Sequence, residues 1–291
     1  MAARLTALLD RAGRDLFVPI TFSLARRLEQ VEWNEIVEDT GLAVFTLHSS
    51  LRTFSADGVI NWFDSWLEAG SAGAVCERDE DGRVTRAGDP PAALPDPEVI
   101  VQSAGISAAI EIASRLCQQA GEKGLVLGYL TGPATLHHRL YGADRVADAA
   151  SRELCAKVST AIARAYCDAG ISALLLAEED QAVDAAPVEA LAALFNLAEY
   201  YGAPVVYLSR LPVTESVAAS LGKLGAWIAG PAGKGEVITL PLGEADTDAC
   251  IQAMQGASAG HSRRMVLSGW DVPAETAPED VIGLAQQLRT H

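Results

Sequence analysis

Short apolar runs alternate with longer segments of helical periodicity along most of the chain. Runs that are apolar on both faces are typical of parallel strands covered by helices. The eight predicted strands are Phe17–Ser23, Gly58–Asp64, Leu125–Gly132, Ile171–Ala177, Pro204–Ser209, Ala226–Gly230, Val237–Pro241 and Arg264–Ser268.

The segments between these runs predict helices. The clearest is Asp144–Ala169, where apolar side chains recur every four residues from Val146 to Tyr166 and Gly170 stands where a C-terminal cap belongs. Further helices are predicted at Thr40–Phe54, Val99–Gln119, Val188–Tyr201, Thr214–Leu224 and Asp280–Arg289.

Eight strands that alternate with helices, without a break in composition, predict an α/β fold: a single-domain (β/α)₈ TIM barrel over residues 1–291. A doubly wound sheet could use the same elements. Residues 74–86 interrupt the alternation and predict a small hairpin insertion, with its turn at Asp79–Gly82.

The composition and net charge indicate which classes of molecule the protein could bind. The chain has 291 residues, 49% of them hydrophobic, which is enough for a sizeable core. Its formal net charge of −16 argues against binding to nucleic acid or to an anionic membrane surface. An anionic small molecule stays compatible, because a few local arginines can outweigh a remote net charge. The basic residues are 18 Arg and 4 Lys.

The location predicted for the protein is cytoplasmic. No apolar run approaches the roughly 20 residues that span a bilayer. Charged residues at positions 10, 11 and 14 interrupt the apolar pattern that a signal peptide requires. The five cysteines are scattered and form no metal-type pair, which favours reduced thiols and predicts no metal site.

In a barrel of this kind the active site lies at the carboxyl ends of the strands. Asp64 ends the second predicted strand, beside Trp62. Loss of solvent would raise the pKa of this carboxyl and suit it to proton transfer, whereas an N-cap role for the next helix is the alternative.

Other strand ends offer weaker candidates. His137 and His138 are adjacent, so on a helix they point about 100° apart and would not chelate one ion together. Glu178, Glu179 and Asp180 could supply a base, although a solvated loop is the alternative. The other candidates are Arg52 and Arg210 for a substrate carboxylate, Trp270 as a flat wall, and Thr131, Gly132 and Pro133 as a helix start or a ligand surface.

Three stretches resemble the uroporphyrinogen decarboxylase superfamily. They are GYLTGPATL at 128–136, DAGISALLLAEED at 168–180 and RRMVLSGWDVPAETAPEDV at 263–281. The resemblance covers nearly the whole chain and implies a barrel with its site at the strand ends. The superfamily includes cofactor-independent decarboxylases and zinc-dependent, corrinoid-linked methyltransferases.

The resemblance to the decarboxylases is partial at the residue level. ADGVINWFD places Asp64 at the position of the catalytic Asp, seven residues after Asp57. The implied role of that Asp is to stabilise positive charge on a protonated pyrrole as CO₂ leaves. The arginines that hold substrate carboxylates are replaced by Arg26 or Arg27, and the family Tyr falls on Arg139. RAGR at 11–14 matches that arginine motif by coincidence, because it precedes the strand.

The methyltransferase branch carries zinc ligands at positions that correspond here to Tyr207, Ser209 and Trp270. None of these side chains is a suitable zinc ligand, because zinc takes thiolate, imidazole or carboxylate. The family His of the last strand falls on Gly269 or Trp270.

The sequence therefore predicts a decarboxylase of a polycarboxylated or heteroaromatic, tetrapyrrole-like substrate, with no cofactor and with Asp64 catalytic. The alternatives are a methyltransferase that exchanges methyl groups with a corrinoid protein or a folate without the usual zinc, and a non-catalytic tetrapyrrole or corrin binder. The resemblance also implies a homodimer. The residues predicted to bind the substrate are Arg26, Trp62, His137, Arg139, Glu178, Tyr207, Arg210 and Trp270.

Overall fold

A computed structural model describes residues 4–78, 84–121, 124–142, 144–179, 188–231, 237–243, 252 and 264–290. The helices are α1 Arg4–Ala12, α2 Phe22–Glu29, α3 Trp33–Glu38, α4 Thr40–Thr53, α5 Leu67–Ser71, α6 Pro97–Val101, α7 Ala104–Ala120, α8 Pro133–Tyr141, α9 Ala149–Asp168, α10 Ala192–Tyr201, α11 Glu215–Lys223 and α12 Pro278–Thr290. The strands are β1 Leu16–Ile20, β2 Gly58–Ile60, β3 Cys76–Arg78, β4 Val84–Arg86, β5 Leu125–Thr131, β6 Ala173–Glu178, β7 Val205–Ser209, β8 Trp227–Ile228, β9 Gly230–Pro231, β10 Val237–Thr239 and β11 Met265–Asp271.

Nine of these strands form two parallel sheets. One sheet has the order β2-β5-β6-β7-β8 and the other has the order β1-β11-β10-β9. The sheets meet where the Asp57 N–H donates to the Phe17 carbonyl at 2.7 Å and the Leu125 N–H donates to the Asp57 carbonyl at 2.9 Å. On the far side, Ala229 alone separates β8 from β9, so one continuous segment passes from the first sheet to the second. The predicted α/β class with parallel strands is confirmed.

Several predicted boundaries were wrong. The first strand ends at Ile20 rather than Ser23, because the Asp271 carboxylate accepts the Ser23 N–H at 3.1 Å and α2 begins there. The second strand stops at Ile60, so Asp64 follows it by four residues instead of ending it.

The long predicted helix also begins later than expected. The Asp148 side chain accepts the Ser151 N–H at 2.7 Å and starts α9 at Ala149. Val146, taken as part of the apolar stripe, is therefore outside the helix and 90% exposed. Within the helix the four-residue period holds from Val158 onward, where Val158, Ile162 and Tyr166 are buried, whereas Ala150 is exposed.

Strand side chains alternate between two apolar layers. An inner layer joins residues of both sheets, among them Val18, Leu127, Leu175, Val206 and Leu267. An outer layer packs the intervening residues of the five-stranded sheet against the helices. This alternation decides which strand-end side chains face the middle of the fold.

The predicted insertion contains an antiparallel pair, with Cys76 opposite Arg86 and Arg78 opposite Val84. Its predicted turn at Asp79–Gly82 lies outside the described residues. No disulfide joins the four cysteines that the structure describes. In the same part of the chain, no helix combines the length and the apolar character needed to cross a bilayer.

Candidate functional site

Asp64 lies at the carboxyl ends of the parallel strands, a face called the mouth below. One carboxylate oxygen, Oδ2, accepts from Arg78 Nη2 at 2.7 Å and the other, Oδ1, accepts from the Trp66 N–H at 3.0 Å. The side chain is only 9% exposed, and burial raises the pKa of this carboxyl against the opposing effect of Arg78. Asp64 thus shapes the turn before α5, as an N-cap would, and is also an ionisable group at the mouth.

Arg78 comes from the hairpin insertion and lies on an aromatic surface. Its guanidinium is 3.9 Å from the centre of the Trp33 ring, and that of Arg26 is 5.1 Å from the same ring. Trp33 contacts Phe22 and Trp62 with ring centres 5.4 and 6.0 Å apart. Because three rings hold one another, the platform under the two arginines is rigid. The guanidinium groups of Arg26 and Arg78 therefore lie against the same Trp33 indole ring.

A second aromatic group closes the inner side of the mouth. Phe63 lies 4.9 Å from Tyr129 and 5.3 Å from Trp270, measured between ring centres. The guanidinium of Arg210 lies 5.5 Å from the Trp270 ring centre. Trp270 therefore packs against the inner layer, and the Arg210 guanidinium lies over its ring.

Arg139 forms a second ion pair on the same face. It donates to Glu179 Oε2 and lies 4.7 Å from the ring centre of Trp66. The Ser65 hydroxyl donates to the same Glu179 oxygen at 2.9 Å. Asp64 and Arg139 interact electrostatically, so the two ion pairs belong to one site.

Two further buried acids surround the site. Glu68 accepts from the Thr131 N–H at 2.8 Å and from its hydroxyl at 2.5 Å, and burial raises the pKa of Glu68 to about 7. Asp271 accepts from the Ser23 hydroxyl at 2.5 Å, and burial raises the pKa of Asp271 to about 7. Both therefore change charge near neutral pH.

Three predicted site residues lie away from this group. Glu178 points to the outer layer and accepts the N–H groups of Ala134 and Thr135 at 3.1 and 2.7 Å, where it starts α8. Tyr207 belongs to the outer layer as well. His137 is 4% exposed and stacks on Tyr141 with ring centres 4.9 Å apart. Trp62 touches the site only through the aromatic platform, because it is itself buried.

Gly132 shows why α8 starts where it does. A Cβ atom at this position would overlap the Glu178 side chain, which is held by two backbone N–H groups and cannot step aside. The predicted helix start at Pro133 is confirmed. Asp180, the third acid of that predicted cluster, lies outside the described residues.

Sequence reasoning missed Arg78, Trp33 and Trp66. Arg78 lies on a short hairpin strand with no apolar pattern, so nothing in the sequence connects it with a residue 14 positions earlier. Trp66 follows the predicted strand Gly58–Asp64 by two residues, and its place near a strand end was the available signal. Trp33 lies between predicted elements, where no signal was available.

The donor chemistry does not fit the zinc of the methyltransferase branch. Tyr207 is buried among apolar side chains, and the Ser209 hydroxyl donates to the Leu211 carbonyl at 2.8 Å. Within the described ranges, no three His, Cys, Asp or Glu side chains come close enough to hold a metal ion. No step is therefore assigned to zinc at these positions.

Comparison with known proteins gives a likeness in structure alone. No family model and no curated protein sequence matches the chain. A methyltransferase from Methanosarcina mazei matches over 100% of this chain and 99% of its own, with a TM-score of 0.75 and 16% identity. The apo homocysteine methyltransferase MmuM from Escherichia coli matches over 98% and 99%, with a TM-score of 0.55 and 16% identity. At this identity the likeness shows a shared fold.

Proposed function

We propose that this chain is a single-domain (β/α)₈ barrel enzyme that transfers a methyl group between a small anionic substrate and a corrinoid or folate carrier. The observation that carries the proposal is the likeness to the Methanosarcina mazei methyltransferase along essentially the full length of both chains. At 16% identity the two proteins share a fold, and the methyl-transfer activity of this chain is our proposal.

Strand order supports the barrel. The two sheets are bridged at β1 and β2 by the backbone bonds through Asp57, and they are continuous through Ala229 on the other side. Read around the fold, the order is β1, β2, β5, β6, β7, β8 with β9, β10 and β11, returning to β1. This order of eight strands is the one that a closed barrel of parallel strands requires.

The mouth supports methyl transfer through binding and proton movement. In a displacement, the methyl carbon passes to the carrier and the bonding electron pair stays on the heteroatom of the substrate. That heteroatom then needs a proton or a positive neighbour. Asp64 can move the proton, and Arg26 with Arg78 can hold the anionic end of the molecule.

Decarboxylation is the second candidate, because Asp64 is buried after β2 beside an arginine-rich surface. It is placed second because the structural likeness along the full chain is to methyltransferases.

The test supplies reduced cobalamin and a panel of small carboxylates that carry a methylated nitrogen, oxygen or sulfur atom. We expect the protein to form methylcobalamin, followed by its absorbance, at a rate that falls at least tenfold in Asp64→Asn. Because zinc is not assigned to the site, the rate should survive prior treatment with a chelator.

Arg115→Gln is the matched control: this exposed residue pairs with Glu111 across a helix turn and donates to the Thr40 hydroxyl, and its loss should leave the rate unchanged. Release of CO₂ from polycarboxylated aromatics, with no methyl transfer from any donor to cobalamin or tetrahydrofolate, would replace the proposal with the second candidate.

A further inference from the structure

Arg26 is a half-buried cation beside another cation. Its Nε is buried without a hydrogen-bond partner, and its guanidinium makes neither a hydrogen bond nor an ion pair with any residue that the structure describes. Burial is the main cause that lowers the Arg26 pKa. Glu32 and Asp271 oppose that lowering, and Arg78 adds a smaller lowering of its own.

Two cations lie together at this spot. Arg26 and Arg78 lie against the same Trp33 ring; Arg78 donates to Asp64, whereas no carboxylate among the described residues is hydrogen-bonded to Arg26. A half-buried cation without a hydrogen-bonded anion is unfavourable, and a bound anion offsets that cost. Two guanidinium groups on a flat ring also suit the planar, bidentate geometry of a carboxylate.

We propose that Arg26 and Arg78 bind the carboxylate of the substrate across the edge of Trp33, that this anion draws Arg78 away from Asp64, and that Asp64 then takes up a proton from solvent. The inference deepens the proposed function by assigning its substrate a carboxylate. It makes Arg78 a positioning residue, which acts through Asp64.

The surroundings of Asp64 support uptake of a proton. With Arg78 engaged elsewhere, the Trp66 N–H is the donor that stays on Asp64 among the described residues. Arg139 from α8, paired with Glu179, still favours the charged form of Asp64. Glu68 on α5, Cys76 on β3 and Tyr129 on β5 also lie close enough to interact with Asp64, and none brings positive charge. Burial already raises the Asp64 pKa while Arg78 is present, so loss of the pair raises it further.

The consequence is that binding of the substrate converts Asp64 from a carboxylate into a proton donor. Without substrate, Asp64 is a neutralised carboxylate. With substrate bound, it is a buried carboxylic acid beside the molecule and can donate its proton to the heteroatom that loses the methyl group. Proton and charge balance, because one proton enters from solvent for each carboxylate bound.

The test measures proton uptake during binding and needs no turnover. Acetate and benzoate are titrated by calorimetry in two buffers of different ionisation heat near pH 7, with acetamide and benzamide as neutral controls. We expect saturable binding of the carboxylates, at least tenfold tighter than of the amides, with measurable uptake of protons. Arg26→Gln should weaken carboxylate binding about tenfold.

Asp64→Asn is the decisive variant. It should still bind the carboxylate, several-fold more tightly because the internal competitor for Arg78 is gone, and the proton uptake should vanish. Glu111→Gln is the matched control: it also removes one negative charge, from an exposed ion pair on α7, and the uptake should persist. Arg78→Lys keeps the charge and guards against loss of folding, and it should retain part of both effects.

Carboxylate binding without proton uptake, uptake that persists in Asp64→Asn, or equal binding of amide and carboxylate would each overturn the inference. The outcomes are separable from the proposed function. Methyl transfer without uptake would refute only the Arg78 mechanism, and uptake without any methyl transfer would refute only the methyltransferase.

Discussion

Arginine–carboxylate pairs occur at both ends of the parallel strands, and they are built differently. At the amino ends, Arg14 donates to both oxygens of Asp57 at 2.6 and 2.8 Å, and Asp57 also accepts the Phe17 N–H at 2.9 Å. Arg264 donates to Asp15 at 2.9 Å through its side chain and at 2.8 Å through its backbone. At the mouth, the guanidinium groups lie on indole rings instead.

The pairs at the amino ends join strands, and the Arg14–Asp57 pair is called the clamp below; the arginines at the mouth are the ones proposed to bind a ligand. At the amino ends each acid accepts a backbone N–H from a neighbouring strand or the residue before it, so the pair fixes one strand to the next. At the mouth, Asp64 accepts a backbone N–H only from its own turn, and the cations lie against the faces of indole rings. RAGR at 11–14 thus has a structural role through Arg14, whereas the arginines expected to bind substrate come from α2 and the hairpin.

The largest expected effect is on turnover. Asp64→Asn should lower kcat for methyl transfer about 10²–10⁴-fold, because it removes the group that moves the proton. Asp57→Asn, the same change at the opposite end of the strands, should leave kcat within about twofold. Steady-state kinetics with cobalamin as acceptor makes the comparison, and equal losses in the two variants would contradict it.

The next effect concerns the dependence of stability on pH. Glu68 has a folded pKa of about 7, above that of an unfolded Glu, so its stabilisation is complete below about pH 4.5 and is lost as pH rises through 7. Glu68→Gln should remove up to about 1.4 kcal/mol per pH unit of that decline. Urea unfolding between pH 5 and 8 measures it.

Glu153→Gln is the control for this slope. Glu153 is fully exposed, and its pKa is lowered by Lys157 rather than raised. The decline in unfolding free energy from pH 5 to 8 should therefore match that of the unmodified chain. An unchanged slope in Glu68→Gln would show that Glu68 is ionised in the folded protein.

A smaller effect is expected from breaking the clamp. Asp57→Asn should lower the free energy of unfolding by about 2 kcal/mol, because it leaves Arg14 without a carboxylate at a partly buried junction of two strands. Asp64→Asn should lower it less, since the clamp and not the mouth holds the sheets together. A larger loss in Asp64→Asn, seen by urea unfolding, would reverse the assignment.

The smallest expected effect is on the free energy of unfolding when an exposed ion pair is removed. Arg115 and Glu111 form an ion pair of 3.3 Å on α7 with side chains 40% and 54% exposed. Arg115→Gln should change the free energy of unfolding by no more than about 0.5 kcal/mol, because exposed pairs are screened by water. A change of the size expected for Asp57 would mean that burial does not distinguish these pairs.

Much of the fold could be predicted from the sequence, because apolar runs identify buried strands whatever their exact ends. The site could be predicted only in part. Tyr207 and Trp270 both follow the apolar pattern, yet one faces the helices and the other the middle of the fold. A strand that is apolar on both faces does not reveal which side chain points inward.

The missed residues have a different cause. Asp64 and Arg78 meet only because the chain folds back through β3, and no periodicity specifies that contact. Val146 misled for the opposite reason: it continues the four-residue period, but the Asp148 cap starts the helix only at Ala149, after Val146. A local hydrogen bond here outweighs the pattern.

The pairing of β1 with β11 has a consequence for synthesis. The Ile20 N–H donates to the Ser268 hydroxyl, and Asp15 holds Arg264, partners that leave the ribosome almost 250 residues later. Until then the apolar strand LFVPI has an unfilled edge that other chains could extend. Pro19 in that strand lacks an N–H group, which shortens the edge available to a stray strand while the nascent chain waits for its native neighbour.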